Sequence, residues 1–573
     1  MRIVLLILLL IAGAFSELSA QKHPGNDPII CPVKPPYLFA GGFGELRPNH
    51  FHSGLDFRTQ GQTGMPVFAV KDGYVSRIGI SPTGYGNALY MNHPDGTTSV
   101  YGHLEKFHPD IQKYVRKKQY DKENFAIDIT LSSGEFSFKK GDIIAWSGNS
   151  GSSGGPHLHF EIRDTDSERA FNPLFYNLGI KDNSAPKIRA IYIYPLSAKS
   201  NVGVDRSKKR FEVVAVQGGY RLKNNLPVEL YGKIGFGIQA EDDFSGNGFK
   251  CGIYSAALFC DGKEIFGFKM NSFSFDDSRY ANAQADYEAY IQSHRWIQRL
   301  YRLPGNHLDI YNHPDNNGIL NLDDGKSHEI EIVAADAFKN KTSLKFRTIP
   351  KKSKLPDKNQ NFSKQFLFDQ SNHFENENIR IDLPKGALYD NLGFVWKSAP
   401  KPGGCFSELH HVQSKFIPLQ KSYSLSIRCN DLPKSLTNKA LIVNIETASG
   451  QRSAIGGEYS GGWVTVKTNV FGSFAVAIDK TPPVILPLSI KDKKVLTDNN
   501  KLQFRISDDL SGIKTYRGEI DGEWILFEYD AKSKLLTYTF DKDKIAFGKN
   551  HLLRLVVTDN KENSSEYKAL IYK

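Results

Sequence analysis

The stretch His157-Leu158-His159-Phe160-Glu161-Ile162-Arg163 alternates polar and apolar side chains along its whole length. Successive side chains of an extended chain point to opposite faces, so the pattern is that of a half-buried strand with Leu158, Phe160 and Ile162 turned inward. His157 and His159 then share the outer face, about 7 Å apart at their roots. Upstream, within the span from Tyr37 to about Asn183, lie further short apolar runs: Pro66-Val67-Phe68-Ala69-Val70, Gly73-Tyr74-Val75, Ala88-Leu89-Tyr90-Met91 and Ile143-Ile144-Ala145-Trp146. The turn signals Lys71-Asp72-Gly73, Pro94-Asp95-Gly96 and Lys140-Gly141-Asp142 separate them, which predicts an antiparallel β-domain. A polar, Lys-rich stretch between His108 and Phe138 reads as an inserted loop or short helix.

The chemistry-bearing residues sit at the two ends of this domain. In His52-Ser53-Gly54-Leu55-Asp56 an imidazole and a carboxylate lie four residues apart, a spacing that can leave both on one face of an extended or looped segment. Two histidines at i and i+2 let one bind a metal while its neighbour faces water or substrate. Two imidazoles and a carboxylate with an open fourth position are a common ligand set for catalytic zinc, whereas thiolates would suggest a closed structural site. In Tyr101-Gly102-His103-Leu104, His103 falls at a strand end facing the same cleft, and histidine is the usual group for proton transfer near neutral pH. The loop Gly148-Asn149-Ser150-Gly151-Ser152-Ser153-Gly154-Gly155 lacks the Lys of a phosphate-binding loop, and the sequence sets no base beside Ser152 or Ser153; it reads as a groove wall.

Three separated blocks, Phe51-His52-Ser53-Gly54-Leu55-Asp56, Tyr101-Gly102-His103-Leu104 and Gly155-Pro156-His157-Leu158-His159-Phe160-Glu161, together resemble the signature blocks of the lysostaphin/LytM-type zinc endopeptidases, in that family's order. The resemblance covers about residues 37 to 178. It implies one Zn2+ per chain held by His52, Asp56 and His159, with His103 and His157 as general base and stabiliser of the tetrahedral oxyanion. It implies hydrolysis of peptide cross-links or Gly-containing bridges in peptidoglycan. The stretch from His108 to Phe138 is longer than the family's usual connection, a departure that bears on groove shape and substrate choice. Some LytM-type domains are catalytically silent and activate cell-wall amidases; those typically have lost metal ligands, whereas all five positions stand here. His50 lacks the four-residue spacing to Asp56, and His93 beside a turn reads as structural. His307, Asp309 and His313, and the pair His410-His411, come without a third block and read as surface features.

At 573 residues the chain exceeds what one core organises, and 12% aromatic content with recurrent Gly and Pro suits several β-rich domains, a mainly β fold. Residues 1–20 read as a signal peptide: Arg2, an apolar run Ile3 to Phe15, and Leu18-Ser19-Ala20 before Gln21. The expectation is export, to the periplasm or cell envelope or beyond the cell, with no transmembrane segment after cleavage. A peptidase domain over 21–183 is followed by a β-module over 184–349 with an insertion near 271–321, a linker 350–364, a β-sandwich 365–479 and a last module 480–573. The two flanking modules are copies of one unit: Ser184-Ala185-Pro186-Lys187-Ile188 matches Thr481-Pro482-Pro483-Val484-Ile485, Ile238–Gly246 matches Phe504–Gly512, and Ile330–Asp336 matches Leu553–Asp559. They resemble bacterial immunoglobulin-like modules, with envelope proteins as expected partners. The insertion has an aromatic-rich, helical-looking piece around Tyr287 to Leu303 and reads as a partner surface. Net charge is +11, unchanged by removing residues 1–20 because Arg2 and Glu17 cancel, which favours anionic polymers; no basic block with interleaved aromatics suggests a nucleic-acid groove. Cys31, Cys251, Cys260, Cys405 and Cys429 show no CxxC spacing; Cys251 with Cys260 and Cys405 with Cys429 read equally as local disulfides or as free thiols.

Overall fold

The computed structural model describes residues 29–572 apart from 37, 245–249, 313–314, 355–360, 491–493, 496–500, 541–544 and 546–547. The leader 1–20 and His313 lie outside the described residues. Among the described residues no helix is long and apolar enough to cross a membrane.

The deciding strand, His157–Asp164, sits inside an antiparallel sheet ordered Phe39–Gly41, Leu55–Arg58, His157–Asp164, Thr97–Gly102, Asn87–Asn92, Gly73–Ile80 and Ile127–Thr130. A smaller sheet of Pro66–Phe68, Ile143–Ser147 and Leu104–Phe107 lies beside it. Leu158, Phe160 and Ile162 enter the core with Leu55, Phe57 and Tyr101, as the alternation requires. The opposite face of the strand is not solvated, however: Glu161 is 0% exposed, His159 4% and Arg163 5%. Gly54 allows the central strands to pair this closely, since a Cβ there would lie 2.2 Å from the Phe160 carbonyl oxygen. The stretch after His108 contains the helix Pro109–Lys122, which starts on a proline at its first turn and ends on a left-handed Glu123.

The cover over that polar face comes from the second module. Its insertion contributes the strand Ser272–Phe273, which pairs with Ala170–Phe171 and so extends the first domain's sheet. Phe273 packs against Phe43 and Phe51 with ring centroids 5.1 and 5.5 Å apart, and the Arg163 guanidinium lies 4.2 Å from the centre of the Phe275 ring. One hydrophobic core therefore runs from Ile29 to Phe346, across the boundary expected at 183/184. Phe273 and Phe275, at the start of the insertion expected to face a partner, are occupied within the chain. Its helical piece is confined to Ala281–Gln284 and Tyr287–Ser293, and the chain is extended again at Gln298–Arg299.

The residues from Phe366 to Ile478 form a two-sheet sandwich with its own core, and those from Ile490 to Ile571 another. The internal repeat is structural as well as sequential. Lys187–Pro195 pairs antiparallel with Val228–Asp243 as Val484–Pro487 pairs with Lys501–Ser507, and Ser255–Cys260 pairs with His328–Ala335 as Ile513–Ile520 pairs with Asn550–Asp559. Both copies close the same turn. Asp336 accepts from the backbone and side-chain nitrogens of Asn340, whose amide also donates to Asp182 O; Asp559, Asn563 and Asp479 repeat every one of these bonds.

The modules touch in sequence and then return to the start. Gly305 N donates to Tyr389 O, joining the insertion to the third module, and Lys439 Nζ donates to Lys561 O, joining the third to the fourth. The fourth reaches the first through Arg517 and Glu123, 2.6 Å apart, and through the edge-on ring pair Tyr120 and Trp524. The helix Pro109–Lys122 thus serves as a docking element. All five cysteines are free thiols, and four are buried. Cys251, in the core, packs under Gly42 rather than bonding to Cys260.

Candidate metal centre

Strand register brings the separated sequence blocks together. His159 stands opposite Asp56 on one neighbouring strand and opposite Gly102, the residue before His103, on the other. His52 Nε2, Asp56 Oδ1 and His159 Nδ1 converge: His52 to Asp56 is 3.0 Å, His159 to Asp56 2.9 Å and His52 to His159 3.1 Å. The remaining ring nitrogens fix the tautomers. His52 Nδ1 donates to Gly42 O at 2.8 Å and His159 Nε2 donates to Glu161 Oε1 at 2.7 Å, so both inward nitrogens present lone pairs. Two lone pairs 3.1 Å apart repel unless a proton or a cation lies between them. Tetrahedral zinc with bonds of about 2.0–2.1 Å separates its ligand atoms by roughly 3.3 Å, close to the spacing found. The three residues therefore fit a zinc ion, and the carboxylate behind His159 is the support such a ligand usually has.

That support is itself built in. Glu161 Oε1 also accepts from Tyr85 OH at 2.6 Å and from Ser53 Oγ, and Glu161 Oε2 accepts from Arg163 Nε at 2.6 Å. Burial acts to raise the Glu161 carboxyl, but the Arg163 charge and the His159 bond outweigh it and hold the group well below the usual carboxylate range. Burial acts to lower His159, yet its bonds to Asp56 and Glu161 prevail and hold it up at about 9, so the inward Nδ1 lone pair takes either a proton or a metal ion, the two competing for one place.

His103 and His157 face each other across the opening, ring centroids 4.7 Å apart. His103 occupies the crossing between the two sheets and adopts a left-handed φ of 59°, a conformation that non-glycine residues seldom hold and that clusters at functional sites. Its Nδ1 donates to Ser150 O at 2.8 Å, leaving Nε2 without a proton. Burial first, then the neighbouring His159 and His157 charges, push His103 down to about 3, so it is neutral at physiological pH. His157 Nδ1 is committed to Gly155 O at 2.8 Å. The structure corrects the reading of Ser153, whose Oγ lies 3.1 Å from His157 Nδ1. Because Oγ donates to Gly155 O, as the ring nitrogen does, the imidazole has no free lone pair there to take the serine proton.

These groups line a cleft of about 690 Å³, in the size range of ligand pockets. Ser152, Ser153 and Gly154 form one wall as expected, while Phe275, Ser278 and Arg279 of the insertion form another. No residue between 108 and 138 lines it. His50 also lines the cleft, with Nδ1 on Pro48 O, outside the metal-competent trio. His93 is buried against Ser99 and Asp72. Asp309 is paired with Arg169, His307 packs on Tyr280, and His410 is buried, not a surface feature, beside His411 in the third module. Sequence reasoning missed Tyr85, the Gly42 and Ser150 carbonyls, and the whole insertion wall. Only Glu161 had a local signal, its place two residues beyond His159 on the same strand face.

An antiparallel β-domain with a two-histidine, one-aspartate centre in an open cleft is the architecture of a metallopeptidase domain. Residues 50–120 match Peptidase family M23, and the chain carries a domain of that family, of lysostaphin-like type. Residues 363–479 match the Zu5-like domain. The chain is 34% identical over 135 residues to an uncharacterized metalloprotease of Haemophilus influenzae, covering 24% of this chain and 22% of that protein. It is 31% identical over 112 residues to the DD-carboxypeptidase/endopeptidase Mpg of Neisseria meningitidis serogroup B, covering 20% of each. The matched part thus spans about a fifth of these relatives. Among solved structures, the catalytic domain of the antimicrobial peptidase lysostaphin from Staphylococcus simulans is 28% identical, covering 24% of this chain and 90% of that one, with a TM-score of 0.19.

Proposed function

We propose that this chain is an exported, zinc-dependent endopeptidase that hydrolyses peptide cross-links of bacterial cell-wall peptidoglycan. The observation that supports it most is the convergence of His52 Nε2, Asp56 Oδ1 and His159 Nδ1 within an open cleft that also presents His103 and His157. When bound, zinc supplies Lewis acidity towards the scissile carbonyl and acidifies water. His103 then acts as general base: its Nδ1–H is fixed on Ser150 O, which leaves Nε2 to accept the proton of the attacking water. His157, held through Nδ1 by Gly155 O, turns Nε2 towards Asp56 at 3.5 Å, where its imidazolium form donates to the oxyanion as the carbonyl becomes tetrahedral. The loop that carries both carbonyls is the groove wall, so substrate binding and proton handling are coupled through it. The repeated modules, read as immunoglobulin-like, serve to place the enzyme on its polymer or beside envelope partners.

The test incubates the chain from Gln21 onward, and a His159→Ala variant, with purified peptidoglycan, while mass spectrometry follows released fragments. Peptide-bond cleavage by the parent, abolished by chelator and by the substitution, supports the proposal. Zinc bound without cleavage would replace it with a catalytically silent activator of cell-wall amidases.

A further inference from the structure

We propose that Arg279, which reaches the cleft from the second module, is the residue that selects a peptide bearing a free carboxylate beside the bond presented to the metal centre. This rests on the peptidase reading above. The segment carrying Arg279 is fixed to the catalytic domain next to a ligand: Ser278 Oγ accepts from Phe51 N at 2.9 Å, one residue before His52. It is fixed equally to the third module, because Arg279 Nε donates to Leu419 O at 2.8 Å and Arg279 O accepts from Tyr389 OH at 3.1 Å. Three parts of the chain therefore converge to hold one guanidinium at the rim of the cleft.

With Nε committed, the two terminal nitrogens form the edge that remains for a ligand, and among the described residues no carboxylate forms an ion pair with Arg279. Arg47, the other arginine in the cleft, is already paired with Glu45 at 2.9 Å and with Asp56 at 3.4 Å. Asp56 is the single acidic residue in the lining, against two arginines and five histidines. A planar, permanently charged fork held rigid with no counter-ion matches a carboxylate in two parallel hydrogen bonds, which a lysine cannot reproduce. Peptide cross-links of a cell wall leave free carboxylates on the residues around the link, so the chemistry of the proposed substrate supplies the missing anion.

The experiment measures binding rather than turnover. A fluorescein-labelled cross-linked stem-peptide dimer with free carboxylates, and the same dimer with its carboxylates converted to carboxamides, are titrated by anisotropy against the zinc-loaded full chain and its Arg279→Ala and Arg279→Lys variants. Zinc content and melting temperature check that each variant is folded and loaded. The parent is expected to prefer the carboxylate form by about 10-fold to 100-fold, the range for a charge-assisted hydrogen-bonded pair. Arg279→Ala should bind both probes alike, and Arg279→Lys should fall between. Equal binding of the two probes by the parent, or undiminished preference in Arg279→Ala, overturns the proposal. A parent that discriminates between the probes yet cuts neither keeps the assignment of Arg279 and removes the peptidase reading instead.

Discussion

Replacing Glu161 with glutamine removes one charge from a fully buried position without changing its shape. The carboxylate now takes four donors: His159 Nε2, Tyr85 OH and Ser53 Oγ on one oxygen, Arg163 Nε on the other. A glutamine has one oxygen and one NH2 group, so whichever way it lies, its NH2 faces either His159 or Arg163, donor against donor. If the oxygen stays with His159, Arg163 loses its buried anion, and such a loss costs up to about 3–5 kcal/mol. The lower end applies, because Arg163 keeps Tyr85 OH at 3.2 Å and the Phe275 ring. If the NH2 turns to His159, the ring loses the acceptor that directs its Nδ1 lone pair inward, and removal of such a support typically weakens metal binding about 10-fold to 100-fold. The expected outcome is a folded protein with a lower melting temperature and zinc affinity down by at least about tenfold, measured by chelator competition alongside calorimetry. A folded Glu161→Gln protein with zinc affinity within about twofold of the parent and an unchanged melting temperature would refute the argument that Glu161 must serve both His159 and Arg163.

Three further outcomes are expected. Asp242 is buried beside Asp336 and Asp182, and burial first, then those like charges, raise it to about 7; its contribution to stability is thus complete below about pH 4 and is lost as pH rises through 7, on the order of 4 kcal/mol in all. Calorimetry should accordingly show Asp242→Asn raising the melting temperature at pH 8 and leaving it nearly unchanged at pH 4. Gly148→Ala would set a Cβ 2.4 Å from Glu105 N and 2.7 Å from His103 O, backbone on both sides, so it should cost about 1–3 kcal/mol in a thermal melt and lower turnover by displacing His103. Lys532, in the last module, donates to the carbonyls of Asn149 and Gly151; Lys532→Ala should speed amide hydrogen exchange across 149–155 and reduce turnover severalfold while zinc content stays the same.

What could be read from the sequence was whatever a local period or a local spacing encodes. The alternation around His159 gave the strand, its inward residues and the shared face of His157 and His159. The resemblance of three separated blocks implied His52, Asp56 and His159 as metal ligands, and strand register brings those three side chains together. The repeat was legible because its two copies preserve whole strand pairs and the Asp–Asn turn. The burial of Glu161 and Arg163 was not legible, since the rings that cover them, Tyr85 and Phe275, lie far away in the chain. The same holds for the bond from Phe51 N to Ser278 Oγ, which spans 227 residues. Backbone carbonyls such as Gly42 O and Ser150 O carry no side-chain signature at all. A serine in a Gly/Ser-rich loop gave no hint that a histidine would approach Ser153, because that approach depends on how the loop folds back onto the strand.

The core that runs from Ile29 to Phe346 sets the unit on which inheritance can act. A recombination joint placed near residue 183 would split that core, carrying away a catalytic half with Phe43 and Phe51 stripped of Phe273 and with one wall of its cleft missing. The recipient lineage would gain a fragment with exposed core rather than a folded domain. This domain is therefore expected to move between proteins only with the second module, whereas exchange of the last module, whose core is self-contained, would cost the first domain the bonds from Arg517 and Lys532.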